Sequence, residues 1–524
     1  MPEKYILTVD LGTSGPKVVL FTTQGDVVDN DFASTGYTLL PGGGAEQDPY
    51  EWWAAIKTAI LNVLNRNQSE RKSIEAISVT TQWSGTVAVD KNGKPLMNAI
   101  NWMDARGAAQ VKKITKGIIE IEGYGISKIW HWLRRTGGMP AHAGKDPIAH
   151  ILFIKENMPD IYAKTYKFLE PKDYINLILS GKFVSTFDTM VLHWVTDNRD
   201  INNVKYSEKL LSLSGIEREK LPDMVYADEI IGTLRKEIAE DLGLSKDVKI
   251  IAGTPDINSA AIGSGAIERK HAHLYIGTSS WLASYVPYKK TDIFHNIASL
   301  PSALRGKYLI TNEQETAGEC INFLRDNVFF HNDVLNTPSP EKYYELINEL
   351  AGQSPVGSNK LIFTPWLYGE RSPIEDNFVR GGFYNLSLQH TRKDMIRAVF
   401  EGVAFNNRWL LKYVEKLAGN SFEYISFIGG GALSDLWSQI LADVLQREIR
   451  QMEQPVLVNA RGAYTLAVIG LGYFKAAEIS QTAKTKKIYQ PDKTNIKIYD
   501  ELFNEYLNIY KKNKTIYWRL NRGK

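Results

Sequence analysis

The stretch Tyr5-Ile-Leu-Thr-Val-Asp-Leu-Gly-Thr-Ser-Gly-Pro-Lys-Val-Val-Leu-Phe21 constrains this chain more than any other. An apolar run carries one carboxylate, Asp10, to its end. Gly12, Thr13, Ser14 and Gly15 then turn the backbone, and a second apolar run begins at Val18. The second run is β-rich and is followed by Gln24-Gly25-Asp26 and Val27-Val28, so the pattern predicts strand, glycine turn, strand, with Gly25 supplying a positive φ in the next turn. Neither GxGxxG nor GxxxxGK[ST] is present. A hairpin turn of this kind offers backbone N–H groups and two hydroxyls beside a carboxylate able to face a hydrated cation, which makes it a candidate phosphate site distinct from a strand-to-helix loop.

A second copy strengthens that reading. His273-Leu-Tyr-Ile-Gly-Thr-Ser-Ser-Trp-Leu-Ala-Ser-Tyr-Val286 repeats strand, Gly277-Thr278-Ser279, strand. Similarity at that separation points to two related lobes, whose turns would grip one polyphosphate from opposite sides. The length of 524 residues suits two or three domains with substantial cores.

Charge excludes several classes. Lys+Arg number 62 against Asp+Glu 59, a net charge of +3, so no global field favours nucleic acid or an anionic membrane. Cys320 is the only cysteine, which rules out an intramolecular disulfide and argues against a cysteine-built metal site. The first apolar run is broken by Asp10 and Gly12 and lacks a basic leader, and no stretch of about 18 uncharged apolar residues occurs. A cytoplasmic protein is expected.

Along the chain, Asp48-Pro49 should start a helix through Trp52, Ile56, Ile60 and Leu64, and Ile74–Thr81 should be a strand ending in Gln82-Trp83-Ser84-Gly85. Trp102, Asp104 and Arg106 fall at a strand end or in the loop beyond it. Residues 150–245 read as mostly helical. Val248 to Ala252 is a new apolar strand, and a domain boundary is expected just before it, giving 1–247, 248–475 and a helical extension over 476–524. Thr391 should cap a long helix stopped by Gly419-Asn420. Gly429-Gly430-Gly431-Ala432 lies between a strand and a helix that begins at Ser434, where backbone amides can approach a ligand closely.

Asp256, in Gly253-Thr254-Pro255-Asp256, follows a buried strand. Read alone it is a helix N-cap, worth about 1 kcal/mol. Between two phosphate turns, it has the chemistry of a general base for phosphoryl transfer to a hydroxyl.

Taken in order, these segments resemble the FGGY family of carbohydrate kinases, most of all its D-xylulose kinase branch. The resemblance runs through Asp10 to Gly15 with Lys17, Glu46 to Trp53, Trp102 to Asp104 with Arg106, Pro171 to Tyr174, Gly253 to Asp256, Gly277 to Ser279, Pro365 to Arg371, Gly381 to Gly402 and Gly429 to Ala432, up to about residue 475. It implies an α/β, two-lobed actin/hexokinase-like fold with ATP and Mg²⁺ in the interdomain cleft, and a homodimer. It implies that Asp256 is the catalytic base and that Asp10 helps hold the hydrated Mg²⁺. Gly12, Thr13, Ser14, Lys17, Gly277, Thr278 and Ser279 would serve the ATP phosphates, and Gly430, Gly431 and Ala432 the adenosine. Gln82, Trp83, Ser84, Trp102, Asp104 and Ile257 would lie with Asp256 on the sugar side.

The chain departs from the family's usual pattern at several positions. Gln82-Trp83-Ser84-Gly85 stands where xylulose kinases typically have Gln-Met-His-Gly, and Ile257 stands where an amide side chain usually follows the base. Pro255 and Asn385 replace glycines, while His150 and Phe153 replace a lysine and a tryptophan. The Arg-Glu-Thr triplet of glycerol kinases is absent at 82–84. A ketopentose such as D-xylulose is the first expectation, with ribulose, gluconate or a tetritol as alternatives on the same fold. A non-kinase actin-like ATPase and a sugar sensor are more distant readings.

Overall fold

The computed structural model describes residues 3–121, 123–334 and 337–522. Each glycine hairpin nucleates its own sheet. The first sheet has six strands in the order Ile230–Thr233, Lys249–Pro255, Ile74–Thr81, Tyr5–Gly12, Gly15–Thr22, Val27–Phe32, and the second has five, Ser280–Ala283, His271–Ile276, Tyr424–Ile428, Glu448–Met452, Thr485–Tyr489. In both, the leading hairpin strand pairs parallel with a strand reached through a long connection: Tyr5–Gly12 with Ile74–Thr81, and His271–Ile276 with Tyr424–Ile428. The two hairpins differ in register by one residue, closing on Gly12 opposite Gly15 in the first and on Ile276 opposite Ser280 in the second. Asp10 faces Lys17 across the first, and Tyr275 faces Trp281 across the second.

Helices cover these sheets because their apolar residues recur at helical spacing. In the first lobe, helix Pro49–Arg66 opens on Asp48, whose carboxylate accepts from the Tyr50 N–H, and buries Trp52, Ile56, Ile60, Val63 and Leu64 against Leu7, Val9, Val18 and Leu20. In the second, Arg392–Ala418 opens on a reciprocal Thr391–Asp394 cap and ends at left-handed Gly419. Residues 150–245 carry more strand than their pattern suggests, with short strands at Lys167–Leu169, Val184–Thr186 and Asp223–Val225 between the helices.

The lobes join through two helices, Asp256–Gly263 and Val458–Gly470. A Cβ on Gly263 would lie 2.0 Å from the Val458 carbonyl oxygen, and one on Gly462 would lie 1.9 Å from that of Ser259. Only glycine at both positions permits this approach. Val458–Gly470 also reaches back to the turn between Gly15–Thr22 and Val27–Phe32: Tyr464 Oη donates to the Thr23 carbonyl at 3.0 Å and Arg461 to that of Gly25 at 2.8 Å.

Two expectations need correction. The boundary expected before 248 falls inside the first sheet, because Lys249–Pro255 pairs parallel with Ile74–Thr81. An apolar run after a polar stretch resembles a fresh start, whereas here it joins a sheet begun at Tyr5. We place the change of lobe after Gly263. The segment 476–524 is likewise no appendage. Thr485–Tyr489 is the edge strand of the second sheet, and helix Ile496–Asn521 buries Tyr499, Leu502, Tyr506 and Tyr517 in that lobe's core. Among the described residues no helix is long and apolar enough to cross a membrane.

Candidate active site

The carboxyl ends of three neighbouring parallel strands set up the site, as is general for ligand sites in open α/β sheets. Tyr5–Gly12 delivers Asp10, Ile74–Thr81 delivers Gln82, and Lys249–Pro255 delivers Asp256. Gly253 makes the last of these possible. Its φ is +69°, and a Cβ there would lie 1.9 Å from the Val79 carbonyl oxygen.

Asp256 is the first residue of its helix, directly after Pro255, and its Oδ1 accepts from the Ile257 N–H at 2.8 Å. Burial and then the charge of Asp10 push its carboxyl up to about 7, and Glu313 of the second lobe adds to the effect. Asp10 is itself buried, with Lys17 Nζ 3.5 Å from its Oδ2. The second lobe faces the same pair. Burial and then Asp256 and Asp10 push the Tyr275 phenol up to about 12. Its ring stacks on Trp281 at 3.8 Å between centroids, and its hydroxyl would stand 2.4 Å from a Cβ on Gly277. One residue of each hairpin, Asp10 of the first and Tyr275 of the second, thus lies within electrostatic reach of Asp256.

Thr13 of the first turn links that turn to the neighbouring polar cluster. Its hydroxyl donates to Gln82 Oε1 at 2.8 Å and accepts from the Trp102 indole N–H at 3.0 Å. Gln47 accepts from Gln82 and from Asn101, each at 2.6 Å, and donates to the Thr13 carbonyl at 3.0 Å. This is a neutral, preorganised lattice of amides, hydroxyl and indole, suited to recognising a polyol. Ser14 and Thr278 are exposed at the two turns, and Gly12, Gly277 and Ser279 are half-buried. Gly429 takes φ +85°, and a Cβ on Gly430 would meet nothing within 4 Å, so the backbone of the Gly430–Leu433 turn is open to a flat ligand. Ala432 is buried beneath it, its carbonyl accepting from Gln451 at 2.8 Å.

Other expected sugar-side groups are engaged elsewhere. The Trp83 ring belongs to a hydrophobic core with Ile100 and Met190, its indole N–H donating to the Thr189 carbonyl at 3.1 Å. Ser84 has φ +68°, and its hydroxyl donates to the Lys145 carbonyl at 2.9 Å. Asp104 accepts from the Ala45 N–H and from the Arg106 backbone and side chain, all at 2.7–2.9 Å. Both of its oxygens are spent on clamping the loop. Ile257 packs between two cores, and Asn258 accepts from the Ala303 N–H at 3.2 Å, so it does not replace the missing amide in the cleft.

Sequence reasoning named no site role for Gln47, Asn101, Glu313, Arg371 or Tyr275, although Gln47 and Arg371 lie in segments that carry the family resemblance. Gln47 and Asn101 complete the Thr13 lattice, while Glu313 and Arg371 form an ion pair on the second-lobe wall. Tyr275 was legible in principle, since it stands two residues before Gly277 as Asp10 stands two before Gly12.

Among the described residues no group of three or more His, Cys, Asp or Glu side chains could hold a divalent cation by itself. Two oxygen-only carboxylates, Asp10 and Asp256, suit instead a hydrated Mg²⁺ that completes its shell with phosphate and water.

Comparison with known proteins agrees with this architecture. The N-terminal domain model of the FGGY family of carbohydrate kinases matches residues 5–263 and the C-terminal domain model residues 272–471. A xylulose kinase of Staphylococcus epidermidis is 30% identical over 98% of both chains. Crystal structures of a gluconate kinase and of a ligand-bound xylulose kinase, both from Lactobacillus acidophilus, superpose with TM-scores of 0.85 at 27% identity, covering 99% of this chain and 100% of each of theirs. The likeness thus includes the C-terminal strand and helix. With both domain models matched in order and the whole fold shared, the chain belongs to the FGGY family of carbohydrate kinases.

Proposed function

We propose that this kinase transfers the terminal phosphoryl group of ATP to the terminal hydroxyl of a neutral open-chain ketopentose, D-xylulose first among them. The observation that supports this reading is that Asp256 lies within electrostatic reach of a residue of each glycine hairpin, Asp10 and Tyr275, with its carboxyl raised to about 7 by burial and by Asp10. A base poised near neutrality can orient the attacking hydroxyl and accept its proton as the bond to phosphorus forms. The backbone amides of Gly12–Ser14 and Gly277–Ser279 would stabilise charge on the transferring group, and the Gly430–Ala432 turn would seat the adenosine. The Thr13, Gln82, Trp102, Gln47 and Asn101 lattice would read the sugar hydroxyls. Asp10, with Asp256, would hold hydrated Mg²⁺, which would supply neutralisation of phosphate charge.

Gluconate is the second reading, favoured by the structural likeness to a gluconate kinase. Charge disfavours it. The sugar-side lattice is neutral, three carboxyl groups, Asp10, Asp256 and Glu313, act on one another at the site, and Arg371 and Arg106 are already paired with carboxylates. A sugar acid would enter a field of its own sign. ADP release measured over a panel of ketopentoses, polyols and gluconate decides between them. The reading requires D-xylulose to have the highest kcat/KM and Asp256→Ala to abolish most turnover while ATP still binds. A panel led by gluconate, or near-normal turnover in that variant, would overturn it.

A further inference from the structure

The C-terminal helix Ile496–Asn521 is connected to the active-site crevice by buried hydrogen bonds. Tyr506, fully buried, donates to Asn406 Oδ1 at 2.9 Å. Asn406 Nδ2 donates to Glu370 Oε2 at 2.5 Å. The other oxygen of Glu370 accepts the backbone N–H of Arg371 at 2.8 Å and that of Glu315 at 3.1 Å. Those two residues then meet through their side chains, since Arg371 pairs with Glu315 and with Glu313, the carboxylate whose field reaches Asp256. A second arm leaves from the same point. The Asn406 carbonyl accepts from Gln314 Nε2 at 2.9 Å, and Gln314 Oε1 accepts the hydroxyl of Ser280, at the base of the second glycine turn, at 2.8 Å.

Glu370, Asn406 and Tyr506 are each 1% exposed or less, so none of the bonds among these three is exchanged for water at low cost. Packing alone does not require them. The Tyr506 ring is already held by Trp366, Phe405 and Trp409, so a phenylalanine would fill the same volume. The hydroxyl donates to Asn406, whose oxygen has one other donor, the Trp366 indole at 3.3 Å. Were Asn406 to rotate, Glu370 would lose its side-chain donor, and the two backbone amides it holds would lose their fixed anchor.

We propose that Tyr506 is a positioning residue for phosphoryl transfer, acting through Asn406 and Glu370 to fix the Glu313–Glu315 and Arg371 wall of the crevice opposite Asp256. The inference rests on the kinase reading of the site and gives the C-terminal helix a part in it beyond burial.

The test compares Tyr506→Phe with Tyr517→Phe. Tyr517 is on the same helix and is hydrogen-bonded to Tyr384 rather than to the crevice. Tyr506→Phe is expected to lower kcat for the best sugar by about five- to tenfold, with KM for the sugar within about twofold. Glu370→Gln should lower kcat as well, and the double variant should fall no further than the worse single, as expected for one coupled chain. Tyr517→Phe should leave kcat unchanged. Amide hydrogen exchange supplies a readout independent of the acceptor: the Glu315 and Arg371 amides should exchange at least about tenfold faster in Tyr506→Phe and at the wild-type rate in Tyr517→Phe. Wild-type kcat in Tyr506→Phe overturns the proposal, as do unchanged exchange at both amides or multiplicative losses in the double variant. If no sugar is phosphorylated at all, the kinase reading fails, while the exchange data still judge the chain itself.

Discussion

Tyr275 occupies in the second hairpin the position that Asp10 occupies in the first, two residues before the glycine of the turn, and the two side chains approach the same carboxyl, that of Asp256. The duplication has been put to unequal use. One copy presents a buried charge paired with Lys17, the other an aromatic ring stacked on Trp281. Two acidic copies would set three carboxylates together, and the repulsion would push Asp256 too far toward its neutral form to serve as a base.

Gly277→Ala is expected to weaken nucleotide binding selectively. The new methyl would stand 2.4 Å from the Tyr275 hydroxyl and 2.7 Å from its ring, and that ring cannot withdraw because Trp281 is stacked against it. The turn must move instead, displacing its amides from the position proposed for the phosphates. KM for ATP should rise about tenfold or more with the sugar KM little changed. Steady-state kinetics with each substrate varied in turn would check this, and equal rises in both KM values would count against it.

Asp256→Asn should trade activity for stability in a pH-dependent way. The folded-state carboxyl titrates at about 7, above its ordinary value of 3.8, so the folded protein binds the proton more tightly than the unfolded chain does. Wild-type stability from this group therefore declines as pH rises from about 4 to about 7 and is not regained above. The asparagine variant escapes that loss. Its thermal midpoint should exceed that of the wild type at pH 8 and match it near pH 4, while kcat falls by a factor on the order of 10²–10⁴. Scanning calorimetry at the two pH values, without nucleotide or metal, tests the sign.

Local pattern carried most of the architecture. The hairpins, the Asp48 and Thr391 caps and the stop at Gly419 were all legible, because each depends on residues close together in the chain. Asn385 likewise takes φ +67°, the conformation for which asparagine is a tolerable substitute for glycine. What could not be read depends on pairing at long range. Nothing within Lys249–Pro255 says that it will lie against Ile74–Thr81, nor does Tyr506 announce a bond to Asn406. Site residues divide in the same way. Asp10, Gln82 and Asp256 share a strand edge and follow from topology, whereas the use of both Asp104 oxygens by Arg106 and Ala45 is a matter of side-chain geometry.

Glu170 should matter to the sugar side although it lies beneath it. Its buried Oε2 accepts the Gly85 N–H at 3.0 Å, anchoring the turn in which Ser84 takes its left-handed conformation. Burial and the nearby Asp173 raise its carboxyl well above the ordinary range. Glu170→Gln is then nearly isosteric and should be mild. Glu170→Leu strands the Gly85 N–H, at a cost of roughly 1–3 kcal/mol, and should raise the sugar KM more than the ATP KM. Equal effects of the two substitutions would mean that the carboxyl's acceptor oxygen is not what holds the turn.

Asp104 and Trp102, neighbours with a shared expectation of sugar contact, should separate on mutation. Asp104 is buried, with its oxygens committed to Arg106 and to the Ala45 N–H, and Arg106 retains only Glu46 if that carboxylate is lost. Removing one partner of such a buried pair costs about 3–5 kcal/mol because the other charge stays in place. Asp104→Ala should therefore lower the thermal midpoint strongly, and Asp104→Asn, which keeps one acceptor oxygen, should lower it less. In the asparagine variant that remains folded, the sugar KM should move by no more than about threefold. Trp102→Phe behaves in the opposite sense. It deletes the indole N–H that Thr13 accepts at 3.0 Å while leaving a ring in place, so stability should hold and the sugar KM should rise. Thermal unfolding and sugar kinetics on the same preparations distinguish a clamp from a contact, and an Asp104→Asn protein of wild-type stability with a sharply raised sugar KM would show that this carboxylate reaches the substrate after all.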